Sequence, residues 1–229
     1  MPTFRHKETG KRIFFAHIPR TAGRFVEANL LENGFTWDDE YLNQGYGVMS
    51  VVNGYEIAHY HREHYEKYLD VEGIPHFSIV RNPITKFISG SIYLKRTYGD
   101  DIQSVMEDPY MFSSMIENLP LEGSLNWYRP QVDFLRSDTH VWKFEDGMGN
   151  KFSNWISGIV GVDIYMDQYL EYRTDPRMRE ESSDSRLKKT DALIDNLRVF
   201  YRKDLNKFYQ DNESAKLDSS LQKGEKTKT

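Results

Sequence analysis

The chain of 229 residues contains no cysteine, which excludes disulfides, thiolate metal ligands and cysteine nucleophiles together. No apolar run approaches the roughly 20 residues that a membrane-spanning helix needs. Met1–Lys11 is polar rather than signal-like. Basic residues are not in excess: 30 Lys and Arg against 35 Asp and Glu leave a formal charge of −5. That balance argues against a dedicated nucleic-acid binder, although it leaves room for a local basic cleft. There is no internal repeat, and the 7 histidines form no metal motif. Neither G-x-x-x-x-G-K-[ST] nor a G-x-G-x-x-G after a strand-like run occurs.

Aromatic residues, by contrast, are plentiful: 15 Tyr, 13 Phe and 4 Trp. They suit a large core or a cleft that stacks flat ligand faces. The length fits one domain, read here as residues 1–211. Over 212–229 Ser, Lys, Glu and Thr dominate, so a disordered polar tail is expected.

Strand-like and helical patterns alternate. Ile13–Ala16 is a short apolar run that enters His17-Ile18-Pro19-Arg20-Thr21-Ala22-Gly23-Arg24, after which Phe25, Val26, Leu30 and Leu31 return at helical spacing. A strand, a tight loop and a helix start aim backbone N–H groups at one spot, where the helix dipole favours an anion. Thr21 is expected to cap the helix, Gly23 to allow close backbone approach, and Arg20 and Arg24 to add charge. Phe77–Val80 is a second buried strand, followed by Asn82 as cap, Pro83 at the first helical position, and an apolar face running to about Tyr98. Tyr55–Ala58 reads as a strand ending at His59, with a helix after it through Tyr68. Phe35–Trp37 and Thr139–Phe144 read as further strands, Asp101–Leu119 as short helices, and Thr190–Tyr209 as one amphipathic helix. The alternation implies an α/β fold with a mostly parallel central sheet flanked by helices. The polar clusters at 17–24, 59–64 and 81–89 would then gather beyond the carboxyl ends of the strands.

The loop at 17–24 resembles the 5′-phosphosulfate loop of sulfotransferases that use 3′-phosphoadenosine 5′-phosphosulfate (PAPS). The carbohydrate (Golgi-type) family carries H-I-P-K-T-G-G-T there; this chain has Arg20 for the Lys, Ala22 for the first Gly and Arg24 for the second Thr. Val80-Arg81-Asn82-Pro83-Ile84-Thr85-Lys86-Phe87-Ile88-Ser89-Gly90-Ser91-Ile92-Tyr93 resembles the family's V-R-N-P-x-x-R-x-x-S-x-x-x-Y, whose Arg and Ser bind the 3′-phosphate. Arg129-Pro130-Gln131-Val132-Asp133-Phe134-Leu135 is similar to R-P-Q-x-D-F-L, Phe144-Glu145-Asp146 to F-E-D, and Tyr201-Arg202-Lys203-Asp204-Leu205 to the closing Y-x-x-D-[LF]. The resemblance spans residues 12–208 with the blocks in the family's order.

It implies a P-loop-like sulfotransferase fold, PAPS as co-substrate, adenosine 3′,5′-bisphosphate as product, no metal, and a glycan as acceptor. Arg20, Thr21, Ala22, Gly23, Arg24, Arg81 and Ser89 would hold the nucleotide, with Lys86 along the helix surface. Arg20 would also stabilise charge at the transferring group, as an Arg in that loop does in protein-tyrosine sulfotransferases. His59 is the candidate base, placed as the catalytic His of a G-H motif in uronyl-type members, although Ala58 stands where they have Gly. His61, His64 and His17 are rivals, and Glu145 is the carboxylate alternative; with Asp146 it would otherwise cap the following helix. Contacts to the acceptor are expected from His61, Trp127, Arg129, Gln131 and Glu145, and Trp37, Tyr41, Tyr46 and Tyr128 are further stacking candidates. Family members of eukaryotes carry a membrane anchor, so the resemblance implies here a soluble, cytoplasmic chain of bacterial or viral type. A kinase-like phosphate-binding enzyme and a catalytically inactive nucleotide-binding module are the alternatives.

Overall fold

The computed structural model describes residues 3–38, 51–52, 55–98, 123–167 and 190–210. Five strands, β1 (Thr3–His6), β2 (Arg12–Phe15), β3 (Phe35–Trp37), β6 (His76–Val80) and β7 (His140–Lys143), form one sheet in the order β3-β1-β2-β6-β7. A separate two-stranded ribbon pairs β4 (Val51–Val52) with β5 (Tyr55–Glu56). The helices are α1 (Gly23–Glu32), α2 (Arg62–Tyr68), α3 (Pro83–Tyr98), α4 (Asn150–Val160), α5 (Asp191–Phe200) and α6 (Arg202–Phe208).

The strand period of two divides the core. Ile13 and Phe15 of β2 pack with Phe77 and Ile79 of β6 against Val26 and Leu30 of α1 and Phe152 and Ile156 of α4. Phe14, Ala16 and Val80 face the other side, with Tyr65 of α2, Val71 and Phe134. A third cluster joins Phe87 and Leu94 of α3 to Leu193 and Leu197 of α5, with Tyr128 and Tyr201. Both faces of the sheet are thus covered, as an α/β architecture requires.

The sheet is mixed, with a parallel part and an antiparallel part. β2 pairs parallel with β6, and β6 with β7, whereas β1 runs antiparallel to both β2 and β3. The first strand escapes the hydrophobic pattern because Thr3 and His6 are among its buried positions. The turn that joins it to β2 places Gly10 at φ 68°, a conformation that suits Gly in a short hairpin loop. Tyr55–Ala58 does not enter the sheet; β5 stops at Glu56 and a 3₁₀ turn, Ile57–His59, follows. The amphipathic stretch at the C-terminal end is two helices meeting at Tyr201, the first capped by Thr190, which accepts from the Leu193 N–H. Asn82 caps α3 as expected, accepting from the N–H groups of Ile84 and Thr85 at 3.1 and 3.3 Å. The expected helices in 101–119 and the polar tail at 212–229 lie outside the described residues, as do Tyr41 and Tyr46. Among the described residues no helix is long and apolar enough to cross a membrane.

The arrangement places the carboxyl ends of β2, β6 and β7 on one edge. From that edge leave the loop Ala16–Ala22, the corner Arg81–Asn82 and the turn Phe144–Asp146.

Candidate functional site

The loop after β2 contains two non-glycine residues in the left-handed region, Arg20 at φ 66° and Ala22 at φ 69°. Each costs about 1–2 kcal/mol for an L residue, and such strain concentrates at functional sites. Ala22 stands where the resembling loops have Gly, a residue that adopts this conformation without strain. Ala22 is also the N-cap of α1 and offers no capping side chain, and the first turn holds no acidic residue. Thr21 is therefore not the cap: it is fully buried, and its hydroxyl donates to the Ile18 carbonyl at 2.8 Å. That bond tightens the loop from inside and leaves the start of α1 to its backbone donors and dipole. Arg24 is half-buried in the first turn.

Gly23 is required by a side chain of the same loop. A Cβ there would fall 1.6 Å from His17 Nε2, so the imidazole occupies the space beneath the helix start. His17 is fixed by its Nδ1, 3.0 Å from a Glu27 carboxylate oxygen, and by stacking on Phe15 at 5.1 Å.

Arg20 meets α3. Its Nε donates to Ser89 Oγ at 3.0 Å, and its guanidinium lies 4.9 Å from the centre of the Tyr93 ring. Arg81 reaches the same loop, its Nη1 donating to the Arg20 carbonyl at 3.3 Å. The loop after β2 and the second block of the sequence are thus joined through Arg20.

The remaining blocks hold Arg81 in place. Gln131 is fully buried; its Oε1 accepts from the Arg81 N–H and its Nε2 donates to the Arg81 carbonyl, each at 2.8 Å. Asp204, also fully buried, accepts from the N–H groups of Gln131 at 2.8 Å and Val132 at 3.0 Å. Burial raises the Asp204 carboxyl above the usual range, and those donors pull against it. Glu145 does not cap the helix that follows it. Its two oxygens accept from the Asn82 N–H at 2.6 Å and the Tyr209 hydroxyl at 2.9 Å, which ties α3 and the C-terminal end to the β7 corner. Arg81 also lies over the Phe144 ring at 4.8 Å, and burial lowers its pKa while Glu145 opposes that shift.

His59 comes to the loop from the 3₁₀ turn rather than from a sheet strand. It is 7% exposed, its ring 4.6 Å edge-on from that of His17, and its Nδ1 is 3.3 Å from the His17 carbonyl. A carbonyl can only accept, so Nδ1 carries the hydrogen and Nε2 the lone pair, the form a general base needs. Burial first, then the charge of His17, pushes the His59 pKa well below 6.5. Asn126 secures the turn by donating to the His59 carbonyl at 2.6 Å.

Lys86 is not on the helix surface. It is 1% exposed, its Nζ donating to the carbonyls of Trp127 and Arg129 at 2.9 and 3.1 Å, and burial lowers it to about 8 against the pull of Asp204. It bolts α3 to the 127–129 segment. Arg129 is engaged by Asn126 at 3.0 Å and Asp133 at 3.5 Å. His61 is buried beside His64, rings 4.3 Å apart, and burial followed by the Arg129 charge lowers it to about 3. Trp127 stacks on Tyr93 at 5.0 Å and meets His59 edge-on at 5.3 Å. Of the other stacking candidates, Tyr128 is buried in the third cluster and Trp37 packs on the first. Among the described residues no group of three or more His, Asp or Glu is arranged to hold a metal ion.

Three residues that carry contacts here had no role in the sequence reading, Tyr93 being there only the last position of the second block. Tyr93 and Glu27 were legible as the positions one turn after Ser89 and Gly23; Asn126 had no signal, since its partners are distant in the chain. Comparison of the chain with protein-family models, curated proteins and solved structures finds no match.

Proposed function

We propose that this protein is a sulfotransferase that moves a sulfuryl group from PAPS to an acceptor hydroxyl on a carbohydrate. The observation that carries this reading is the junction of Arg20, Ser89 and Arg81 at the carboxyl edge of parallel strands, beside a helix start without a side-chain cap. The arrangement supports a P-loop-like site with its cations on two neighbouring loops.

The backbone N–H groups from Thr21 to Arg24 hold the 5′-phosphosulfate, and Arg81 and Ser89 the 3′-phosphate. Arg81 presents a planar fork suited to phosphate, on a main chain that Gln131 holds at both its N–H and its carbonyl. In transfer, the acceptor oxygen bonds to sulfur as the bond from sulfur to the phosphate oxygen breaks. His59 takes the acceptor's proton on Nε2, and adenosine 3′,5′-bisphosphate leaves. Arg20 stabilises charge on the departing oxygen without giving up its own proton. The scheme asks for no metal. The low basicity of His59 keeps it neutral and ready to accept, and a bound polyanion beside it raises its proton affinity.

Two measurements test the reading: calorimetry with adenosine 3′,5′-bisphosphate in the presence of a chelator, and transfer of labelled sulfate from PAPS to a panel of glycans. Binding that exceeds that of AMP, with transfer, is expected. His59→Ala should lower turnover by about 10²–10⁴-fold with nucleotide affinity and melting temperature kept. Preference for ATP with Mg²⁺ would make the protein a phosphotransferase instead, and binding without transfer a nucleotide-binding module.

A further inference from the structure

Arg20 lies against one face of α3. Ser89 and Tyr93 are four positions apart on that helix and so share a face. Gly90 lies beside them, where even an added Cβ would stand 3.7 Å from Arg20 Cγ, so the Arg20 stem runs close against the helix. The stem of Arg20 crosses Gly90, its Nε is held at 3.0 Å by Ser89, and its guanidinium rests 4.9 Å from the Tyr93 centroid. A free arginine side chain samples many rotamers; this one is met along its length. The far support of Tyr93 is Trp127, stacked at 5.0 Å with planes 13° apart, and Trp127 in turn meets the His59 ring at 5.3 Å. One row of side chains therefore runs from the cation of the anion loop to the histidine of a separate turn.

We infer that Tyr93, backed by Trp127, is a positioning residue that fixes the Arg20 guanidinium at the loop and sets its place relative to His59. Tyr93 touches neither nucleotide nor acceptor in this scheme; it acts through Arg20. The catalytic part of the inference rests on the sulfuryl-transfer reading, whereas the cradle itself does not. A cation that must meet charge developing on a leaving oxygen contributes most in the transition state, so a loosened Arg20 lowers kcat more than it raises KM.

The variants Tyr93→Phe and Tyr93→Leu test this with two readouts. The first is the NMR shift of the Arg20 side-chain protons in ligand-free protein, which the ring current of Tyr93 displaces. The second is kcat and KM for PAPS. Tyr93→Phe is expected to keep both. Tyr93→Leu is expected to lose the displacement and to lower kcat by about 10- to 10²-fold, with KM for PAPS within about twofold. Arg20 shifts that are the same in the two variants, or turnover lowered equally in both, overturn the inference. Trp127→Leu guards against a Tyr93→Leu protein that merely unfolds: it must move the same Arg20 signals, and unchanged signals overturn the inference. Wild-type protein that shows the displaced Arg20 signals yet neither binds adenosine 3′,5′-bisphosphate nor transfers sulfate overturns the sulfuryl-transfer reading and leaves the cradle standing.

Discussion

Arg20 and Ser89, 69 positions apart in the chain, are joined by a hydrogen bond of 3.0 Å between guanidinium and hydroxyl. The bond links the loop after β2 to the second turn of α3, and Arg81 closes the junction on the Arg20 carbonyl. Two polar segments that leave neighbouring parallel strands thereby share one small volume.

Because that volume collects two guanidinium groups, loss of either should appear as lost affinity for an anionic nucleotide. Arg20→Ala and Arg81→Ala are each expected to weaken adenosine 3′,5′-bisphosphate by about 1.5–3 kcal/mol, the value of a charge-assisted hydrogen bond. Arg81→Lys should recover little, since an ammonium lacks the fork. Calorimetry without metal measures this, and full affinity in Arg81→Ala would place the phosphate elsewhere.

The imidazole of His17 occupies the space that a Cβ on Gly23 would need, so no side chain can enter there while the ring is in place. Gly23→Ala is expected to destabilise the protein by about 1–3 kcal/mol through overpacking. His17→Ala combined with Gly23→Ala should cost less than the sum of the two single changes. Urea unfolding of the four proteins gives the coupling, and strict additivity would show that the two sites do not meet.

Lys86 satisfies two carbonyls from inside the protein. Lys86→Ala leaves both without their donor, at about 1–3 kcal/mol for each buried acceptor, so a clear fall in melting temperature is expected. Nucleotide affinity of the folded protein should persist. A variant that melts normally but has lost the nucleotide would place Lys86 in the binding site.

His61 contributes to the pH dependence of this region. Its folded-state pKa of about 3 lies below the 6.5 of the unfolded chain, with burial the largest cause and Arg129, His64 and Arg62 adding to it. Between these values the unfolded state binds a proton that the folded state refuses, so the stability His61 contributes above pH 6.5 is lost as pH falls toward 3. Each such group steepens the fall by up to about 1.4 kcal/mol per pH unit. His61→Asn should flatten the decline in urea unfolding between neutral and acidic pH. An unchanged slope would show that His59, His64 and His76, lowered in the same direction, account for all of it.

The sequence by itself determined the local parts. The apolar run Ile13–Ala16, the cap Asn82 with Pro83, and the buried strand Phe77–Val80 needed only neighbours within a turn or a strand. What tertiary structure decided was every feature that depends on distant backbone. β1 joins the sheet through its ladder with β2, not through its own weak pattern, and the sheet is mixed as a result. The same holds for Lys86, whose charge reads as surface until two carbonyls from another segment surround it. Gln131 reads as an acceptor contact and Asp204 as one position of a helical block; in the fold they fix the main chain at Arg81, because a buried strand end must have its polar groups satisfied. Local pattern thus named the charged groups of the site. Only long-range packing, which brings β2, β6 and α3 to one edge and closes the remaining polar groups around them, decided which of those groups meet.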